Sequence, residues 1–471
     1  MNEAPTKQLS EVLAEKAKVH HAARPKPLAW IRTSPGGHFA VAALLTFISL
    51  VLLRTNRDLE ALIVIGATWT VIPALLITDR LYFDGEALFR SGLTALVSRA
   101  LYGRRQELLV EDVERVEVAA MRTLRRGGTV RYRYRIEVSG KGRNFAFASG
   151  GRKFRRMANA LLTRILEDKL DARACELRDH LGEPKQLSAA IEQMGIATDS
   201  ILEQTDETAR HRIEARAAHG LENNSDPERS HLLRRVANDL RVAGRLRESA
   251  EAFRRALHMS SDNAWLIYEY ARLLRSQAAA FGDARLLSRA CAALALARKR
   301  AGDDARLLTR VGESFFEFGQ PGRAAVTLHR AAELGAYGYR PHLGLAEIAL
   351  SEGKLAHVIH HYVDAAHIAP DQATANLARR EADYYTRLNN DEDYLTAELR
   401  RMNWLEGAGR IQQLTARVSF ASLFVALTGS FFDQLVAGVG WALASSSIIG
   451  WSGALLVRKF LSRRGGISEA A

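Results

Sequence analysis

The most pronounced pattern in the chain is a pair of apolar runs near its beginning. Gly36 to Leu53 reads GGHFAVAALLTFISLVLL and Ala61 to Thr78 reads ALIVIGATWTVIPALLIT, neither with a charged residue. Each would rise about 27 Å as a helix, close to the roughly 30 Å hydrocarbon core of a bilayer. Only Arg54 to Glu60 lies between them, so a transmembrane hairpin over 36–79 is predicted in preference to a buried hairpin of a soluble domain. A cleaved signal peptide fits badly, since the first run starts late and a second follows at once. Pro73 falls inside the second run, where neighbouring helices can take up the freed carbonyl. Val418 to Val457 is a third apolar stretch, interrupted by Asp433 and Gln434. It predicts two spans turning around Asp433, with a re-entrant or interfacial segment as the alternative.

From Arg80 the period shortens to that of strands. Leu81-Tyr82-Phe83 and Ala87-Leu88-Phe89 flank the turn signal Asp84-Gly85, and Val113 to Val118 alternates apolar with charged residues. Val130 to Val138 alternates more regularly, turns at Gly140 to Arg143, and leads into Asn144 to Ala148. A helical pattern follows, with Phe154, Met157, Leu161, Leu162 and Ile165 on one face. The order, carried by TDRLYF at 78–83, LFRSGL at 88–93, VEDVERVEV at 110–118 and the closing helix, resembles the bacterial PH-like domain that often follows a pair of transmembrane helices. The resemblance covers 80–170 and implies binding to proteins or self-assembly. Residues 94–106 are longer and more basic than that pattern leads one to expect.

Residues 229–370 repeat themselves. Ala250 to Leu257 (AEAFRRAL), preceded by Ala243-Gly244-Arg245, recurs as Ala324 to Ala331 after Phe318-Gly319, and again as Tyr362 to Ala365 after Glu352-Gly353-Lys354. Gly319 and Gly353 are 34 residues apart, as are Ala331 and Ala365. Period and residues resemble tetratricopeptide (TPR) repeats. The resemblance implies four repeats and a capping helix near 372–387. Ala237, Ala271, Gly312 and Ala346 would sit where the helices of a unit touch, and Ala256, Ala297, Ala331 and Ala365 where units stack. Ala271 to Ala297 spans 26 residues against 19 in the other three pairs, which predicts an enlarged inter-helix turn around Ser276–Ala284. Such arrays form a concave groove for a peptide or helix. By repeat position the groove would be lined by Arg234, Asn238, Arg241, Trp265, Tyr268, Arg272, Arg275, Arg306, Glu313, Arg340 and Glu347. An arginine-rich groove with two aromatics suits an acidic segment or a C-terminal carboxylate.

Charge adds a direction. The chain of 471 residues carries a net charge of +13, and residues 80–169 hold twenty Lys and Arg against ten Asp and Glu. Arg152, Lys153, Arg155 and Arg156 occupy the first turns of the closing helix, where the dipole disfavours cations. A contact with anionic phospholipid headgroups accounts for them, as does a solvated face with positive-inside bias. Arg131, Arg133 and Arg135 share a strand face, but no nucleic-acid motif is complete, so nucleic acid is disfavoured. Basic residues are dense in the tail (Lys7, Lys16, Lys18, Arg24, Lys26, Arg32), before the last stretch (Arg400, Arg401, Arg410, Arg417) and after it (Arg458, Lys459, Arg463, Arg464). Only Arg54 and Arg57 lie in the first hairpin's loop, which places both termini and residues 80–416 in the cytoplasm. Two cysteines, Cys175 and Cys291, exclude a disulfide framework and a multi-cysteine zinc site.

No Walker loop, dinucleotide fingerprint or nucleophile elbow occurs, and Ser149-Gly150-Gly151-Arg152-Lys153 lacks the rest of a nucleotide-binding unit. His357 and His361 are four apart with His360, His367 and Asp364 nearby, but no further ligand completes a set. No metal, cofactor or enzymatic activity is therefore assigned. The chain reads as mainly α with a small α+β domain, in six parts: tail 1–35, membrane hairpin 36–79, PH-like domain 80–170, helical linker 171–228 (breaking at Gly182-Glu183-Pro184 and Asn223 to Pro227), TPR array with cap 229–403, and membrane hairpin 404–464. The expected function is a bacterial inner-membrane scaffold that recruits a protein partner through the cytoplasmic groove, with self-association compatible. The alternative is a regulatory subunit of a transporter or sensor using Asp433 within the membrane.

Overall fold

The computed structural model describes residues 27–32, 36–102, 107–124, 130–149, 151–182, 184–196, 227–335 and 338–461. The basic tail up to Lys26, the linker break at 223–226 and Arg463-Arg464 lie outside them. The protein is mostly helical with a small β region, and divides into two compact units: 1–34 with 79–382, and 35–78 with 383–471.

In the first unit, β1 (Ala29–Arg32), β2 (Arg80–Phe83), β3 (Ala87–Ser91) and β4 (Glu107–Leu109) form one antiparallel sheet in that order. Strand β1 belongs to the expected tail, yet Ala29 pairs with Phe83 and Arg32 with Arg80. Helix α3 (Leu93–Tyr102) fills much of the extra basic segment. The second sheet runs β5 (Arg115–Leu124), β6 (Val130–Gly140), β7 (Arg143–Ala148), with Ile136 opposite both Val118 and Phe147. Alternation in these strands sends Val116, Val118, Ile136, Val138 and Phe147 inward, against Leu81, Phe83 and Leu88 of the first sheet. Helix α4 (Arg152–Leu162) closes the core with Phe154, Met157, Leu161 and Leu162. Asp79, wholly buried, accepts hydrogen bonds from Arg90 Nε at 2.7 Å and Thr94 Oγ1 at 2.8 Å, which pins the start of β2.

A short 3-10 turn (Glu167–Lys169) leads into α5 (Ala172–His180), followed by α6 (Pro184–Gln193). Four antiparallel helix pairs come next: α7 (Pro227–Ala243) with α8 (Leu246–Met259), α9 (Ala264–Phe281) with α10 (Ala284–Arg300), α11 (Ala305–Glu317) with α12 (Pro321–Glu333), and α13 (Tyr339–Ser351) with α14 (Leu355–Ile368). They stack as a helical-repeat solenoid, with α15 (Gln372–Asn390) at the end. Ala237, Ala271, Ala346, Ala256, Ala297, Ala331 and Ala365 are all fully buried. A Cβ on Gly312 would come within 2.6 Å of Leu328 Cγ, so that position requires the smallest residue. The seven extra residues of the second pair do not enlarge its turn. They lengthen α9 and α10 to 18 and 17 residues, and Gly282, at φ 69°, closes α9 directly before the cap Asp283. Leu187 and Ile191 of α6 pack on Leu233 and Val236, so the linker helix covers the open end of the stack.

The second unit contains α1 (Gly36–Arg54), α2 (Asp58–Thr78), α16 (Glu392–Phe432) and α17 (Gln434–Leu461). Among the described residues three helical segments are long and apolar enough to cross a membrane: Asp58–Thr78, Glu392–Phe432 and Gln434–Arg458; Leu44–Arg54 is a shorter apolar stretch. The turn between α16 and α17 falls at Asp433, which is exposed and accepts from the Leu435 N–H at 2.8 Å. Its carboxylate thus caps α17. The pair packs through small residues, with Ala426 and Ala444 fully buried and Ser422 and Ser447 nearly so, while Phe420, Phe431, Phe432 and Leu435 point outward. Small-in, bulky-out is the packing expected where lipid, not protein, covers the large side chains.

Gly440 and Gly453 on α17 provide a matched test. A Cβ on Gly440 would lie 2.6 Å from the Ala426 nitrogen, whereas nothing lies within 4 Å of one on Gly453. Gly440→Val should destabilise the helix pair by about 1–3 kcal/mol and Gly453→Val by much less, read as thermal unfolding of the detergent-solubilised protein.

Candidate binding face of the repeat array

The first helices of the four pairs, α7, α9, α11 and α13, present their polar residues on one face. That face is not bare: the segment from Glu167 through α5 lies across it. Asp171 sets the segment in place. Its Oδ1 caps α5 by accepting from the Ala174 N–H at 2.6 Å, and its Oδ2 accepts from the Val118 N–H of β5 at 3.0 Å. Ala174, Cys175 and Leu177 then enter the core between the sheets, and Glu176 points the other way, toward the array.

Glu176 receives Arg241 Nη1 at 3.1 Å and Arg272 Nε at 2.7 Å. Arg272 also donates to Glu317. Earlier in the segment, Glu167 receives Arg306 Nη2 at 2.6 Å, Arg310 Nη2 at 2.7 Å and Arg178 Nη2 at 3.1 Å. Arg340 is held by both oxygens of Glu313, at 3.0 and 2.7 Å, and donates to Cys175 Sγ at 3.3 Å and the Glu167 carbonyl at 3.4 Å. Lys169 reaches Asp371 at 2.7 Å, Arg380 reaches Glu114 at 2.6 Å, and Glu347 lies 3.5 Å from Arg115 of β5. The β region and the array are therefore joined along their length by ion pairs. Tyr134 Oη adds a hydrogen bond of 2.8 Å to the Val242 carbonyl.

All eleven residues expected along the groove lie on these helices. Arg234 pairs with Glu269 at 2.7 and 2.9 Å, and buried Asn238 donates to the same carboxylate at 2.7 Å. Trp265 donates to Asp304 at 2.9 Å and meets Tyr268 edge-on at 6.1 Å. Arg234 and Arg306 both lie over the Trp265 ring, at 6.0 and 5.8 Å. Arg275 stacks on Phe318 at 5.7 Å. The sequence reading missed Arg310, which follows Arg306 by one helical turn, and the connector acids Glu167 and Glu176. The acidic positions of 167–179 were the available signal.

Two of the cavities among the described residues lie beside α5. One, of about 300 Å³, lies among Arg234, Trp265, Arg306, Arg310, Asp179 and Glu269; the other, of about 220 Å³, lies among Arg122, Tyr132, Arg173, Arg275 and Glu317. On α4, Arg152, Lys153 and Arg156 are exposed and Arg155 is half-buried. Lys153 Nζ sits 3.2 Å from the centre of the Trp30 ring, with Arg80 also over that ring at 4.7 Å.

Burial alone would raise the pKa of Glu176, but Arg241 and Arg272 outweigh it and hold the carboxyl well below the usual range. Glu167 is half-buried, and Arg310, with Arg306 and Arg178 hydrogen-bonded to it, pulls its carboxyl the same way. A carboxyl depressed on folding contributes stability above its ordinary value of 4.5, and that contribution is lost as pH falls below it. Denaturation in detergent should therefore show stability dropping below about pH 4.5. Glu176→Gln should cost about 3–5 kcal/mol at neutral pH, because two buried guanidinium groups lose their counter-charge, and should flatten the acid limb.

No family model and no curated protein matches the chain. Among solved structures, human IFIT1, solved as a dimer with PPP-AAAA, is similar over 64% of this chain at 14% identity, with a TM-score of 0.29. The chain spans 64% of that protein's length, and a likeness of this degree carries no conclusion about fold or ligand.

Proposed function

We propose that the chain is a multi-pass scaffold of a bacterial inner membrane whose repeat array recruits a protein partner through an acidic segment. The three long apolar helices and the outward bulky residues of α16 and α17 support the anchor. The Lys and Arg distribution supports cytoplasmic termini and a cytoplasmic body over 80–416. The two-sheet module closed by α4 is read as PH-like, the helix pairs as tetratricopeptide repeats, and the exposed basic turn of α4 as a contact for anionic headgroups. The reading is non-enzymatic.

The observation that carries it is the treatment this face gives its own chain. Guanidinium groups neutralise Glu167 and Glu176 of the connector, and a cavity of about 300 Å³ stays open beside them, walled by Trp265, Arg234 and Arg306. A partner's acidic side chain or terminal carboxylate meets there the same chemistry that holds Glu167 and Glu176. Confinement to the membrane plane raises the encounter rate with membrane-bound partners even at modest affinity.

Arg272 is unsuited to a test, since its removal would take a buried partner from both Glu176 and Glu317. Arg306 shares Glu167 with Arg310 and Arg178 and is more exposed, with 42% of its side chain accessible. Trp265→Leu combined with Arg306→Ala should abolish partner crosslinks in native membranes while membrane association and thermal stability stay near wild type; undiminished crosslinking contradicts the groove assignment. Reporter fusions should read periplasmic at Arg57 and cytoplasmic after Leu461, and a periplasmic signal after Leu461 contradicts the second hairpin.

A further inference from the structure

The last helix pair holds a cluster that the ion pairs of the binding face do not use. Helix α14 carries His360, His361 and Asp364, and α13 brings His342 against them. A ring nitrogen of His342, a ring nitrogen of His361 and a carboxylate oxygen of Asp364 all lie within 4.8 Å of one another. His342 Nδ1 is 3.6 Å from Asp364 Oδ2, beyond hydrogen-bond reach, and His360 Nε2 is 3.3 Å from the same oxygen. The edge of a tetrahedron with metal–ligand bonds of about 2.0–2.1 Å is about 3.3–3.4 Å. These two spacings fall within a few tenths of an ångström of that edge.

The rings are also short of partners. His361 is only 8% exposed, and the buried Nδ1 atoms of both His361 and His342 have no hydrogen-bond partner. A buried, unpaired polar nitrogen costs about 1–3 kcal/mol unless something satisfies it. Histidines at the surface of an ordinary repeat would instead hydrogen-bond to water.

We infer that His342, His361 and Asp364 form a site for a borderline divalent transition metal, Zn²⁺ foremost, bridging the two helices of the last pair. Two imidazoles and one carboxylate favour Zn²⁺ over Mg²⁺ or Ca²⁺, which prefer all-oxygen shells. The fourth position falls to water or to His360, whose side chain is 68% exposed and stands at the rim. His357, singled out by its spacing from His361, is exposed and stands outside the set. Bound metal would crosslink α13 to α14 and stiffen the terminal repeat.

The test uses the full chain in detergent, stripped with chelator, dialysed against micromolar Zn²⁺ and assayed for metal content. About one Zn²⁺ per chain is expected, with a raised thermal midpoint that Mg²⁺ does not reproduce. His342→Ala and Asp364→Asn should each lose the ion and the shift, while His357→Ala keeps both. Co²⁺ in the wild-type chain, which needs no variant, should give the intense visible absorption of a four-coordinate ion. The inference is overturned if no zinc is retained, if zinc and the shift persist in His342→Ala and Asp364→Asn, or if Co²⁺ shows only the weak spectrum of its hydrated form.

Discussion

Arg241, Arg272, Arg310 and Arg340 are buried on one face of the repeat array, each no more than 7% exposed. Guanidinium groups cannot be neutralised by losing a proton, so a face that buries four of them requires carboxylates at fixed positions. Glu313 and Glu317 come from the array itself; Glu167 and Glu176 come from the connector. Without the connector, Arg310 and Arg241 would stand uncompensated in a low-dielectric setting. The β region and the solenoid are thereby bound to fold as one unit, and that unit includes residues on both sides of the first helical hairpin, since β1 precedes α1 and β2 follows α2.

This constraint shapes the functional reading. Here α5 lies across that face, with cavities open beside it. The space beside α5 is walled by Trp265, with Arg234 and Arg306 over its ring. Because Cys175 and Leu177 on the opposite side of α5 are part of the sheet core, α5 is a fixed floor of the site, held from both sides.

Much of this was legible in the residues. The small residues that recur every 34 residues, or every 41 across the lengthened second pair, are all buried in the stack, since only Ala or Gly tolerates such close approach, and that requirement leaves a strong trace in a sequence. The apolar runs and the turn at Asp433 were equally plain. Strand β1 was not: Ala29-Trp30-Ile31-Arg32 is four residues long and separated from its partner β2 by a whole hairpin, so no local period marks it. The extra length of the second repeat is ambiguous in the sequence, because a residue count does not say whether the added residues loop out or extend helices. Here the helix-forming run Ala278-Ala279-Ala280 and the Gly282-Asp283 boundary favour extension. The inner-face arginines were identified by repeat position, but periodicity carries no information on which distant carboxylates meet them. Glu167 and Glu176 lie outside the repeats, and their pairing with Arg306, Arg310, Arg241 and Arg272 is a product of tertiary packing.

The connector is locked into the array, and amide hydrogen exchange of the full chain in detergent measures that most directly. Residues 167–180 should exchange as slowly as the buried helices α9 and α11, because their opening requires breaking the Glu167 and Glu176 ion pairs together with the sheet core. Exchange of that segment at the rate of a solvated linker, while α9 and α11 stay protected, would contradict it.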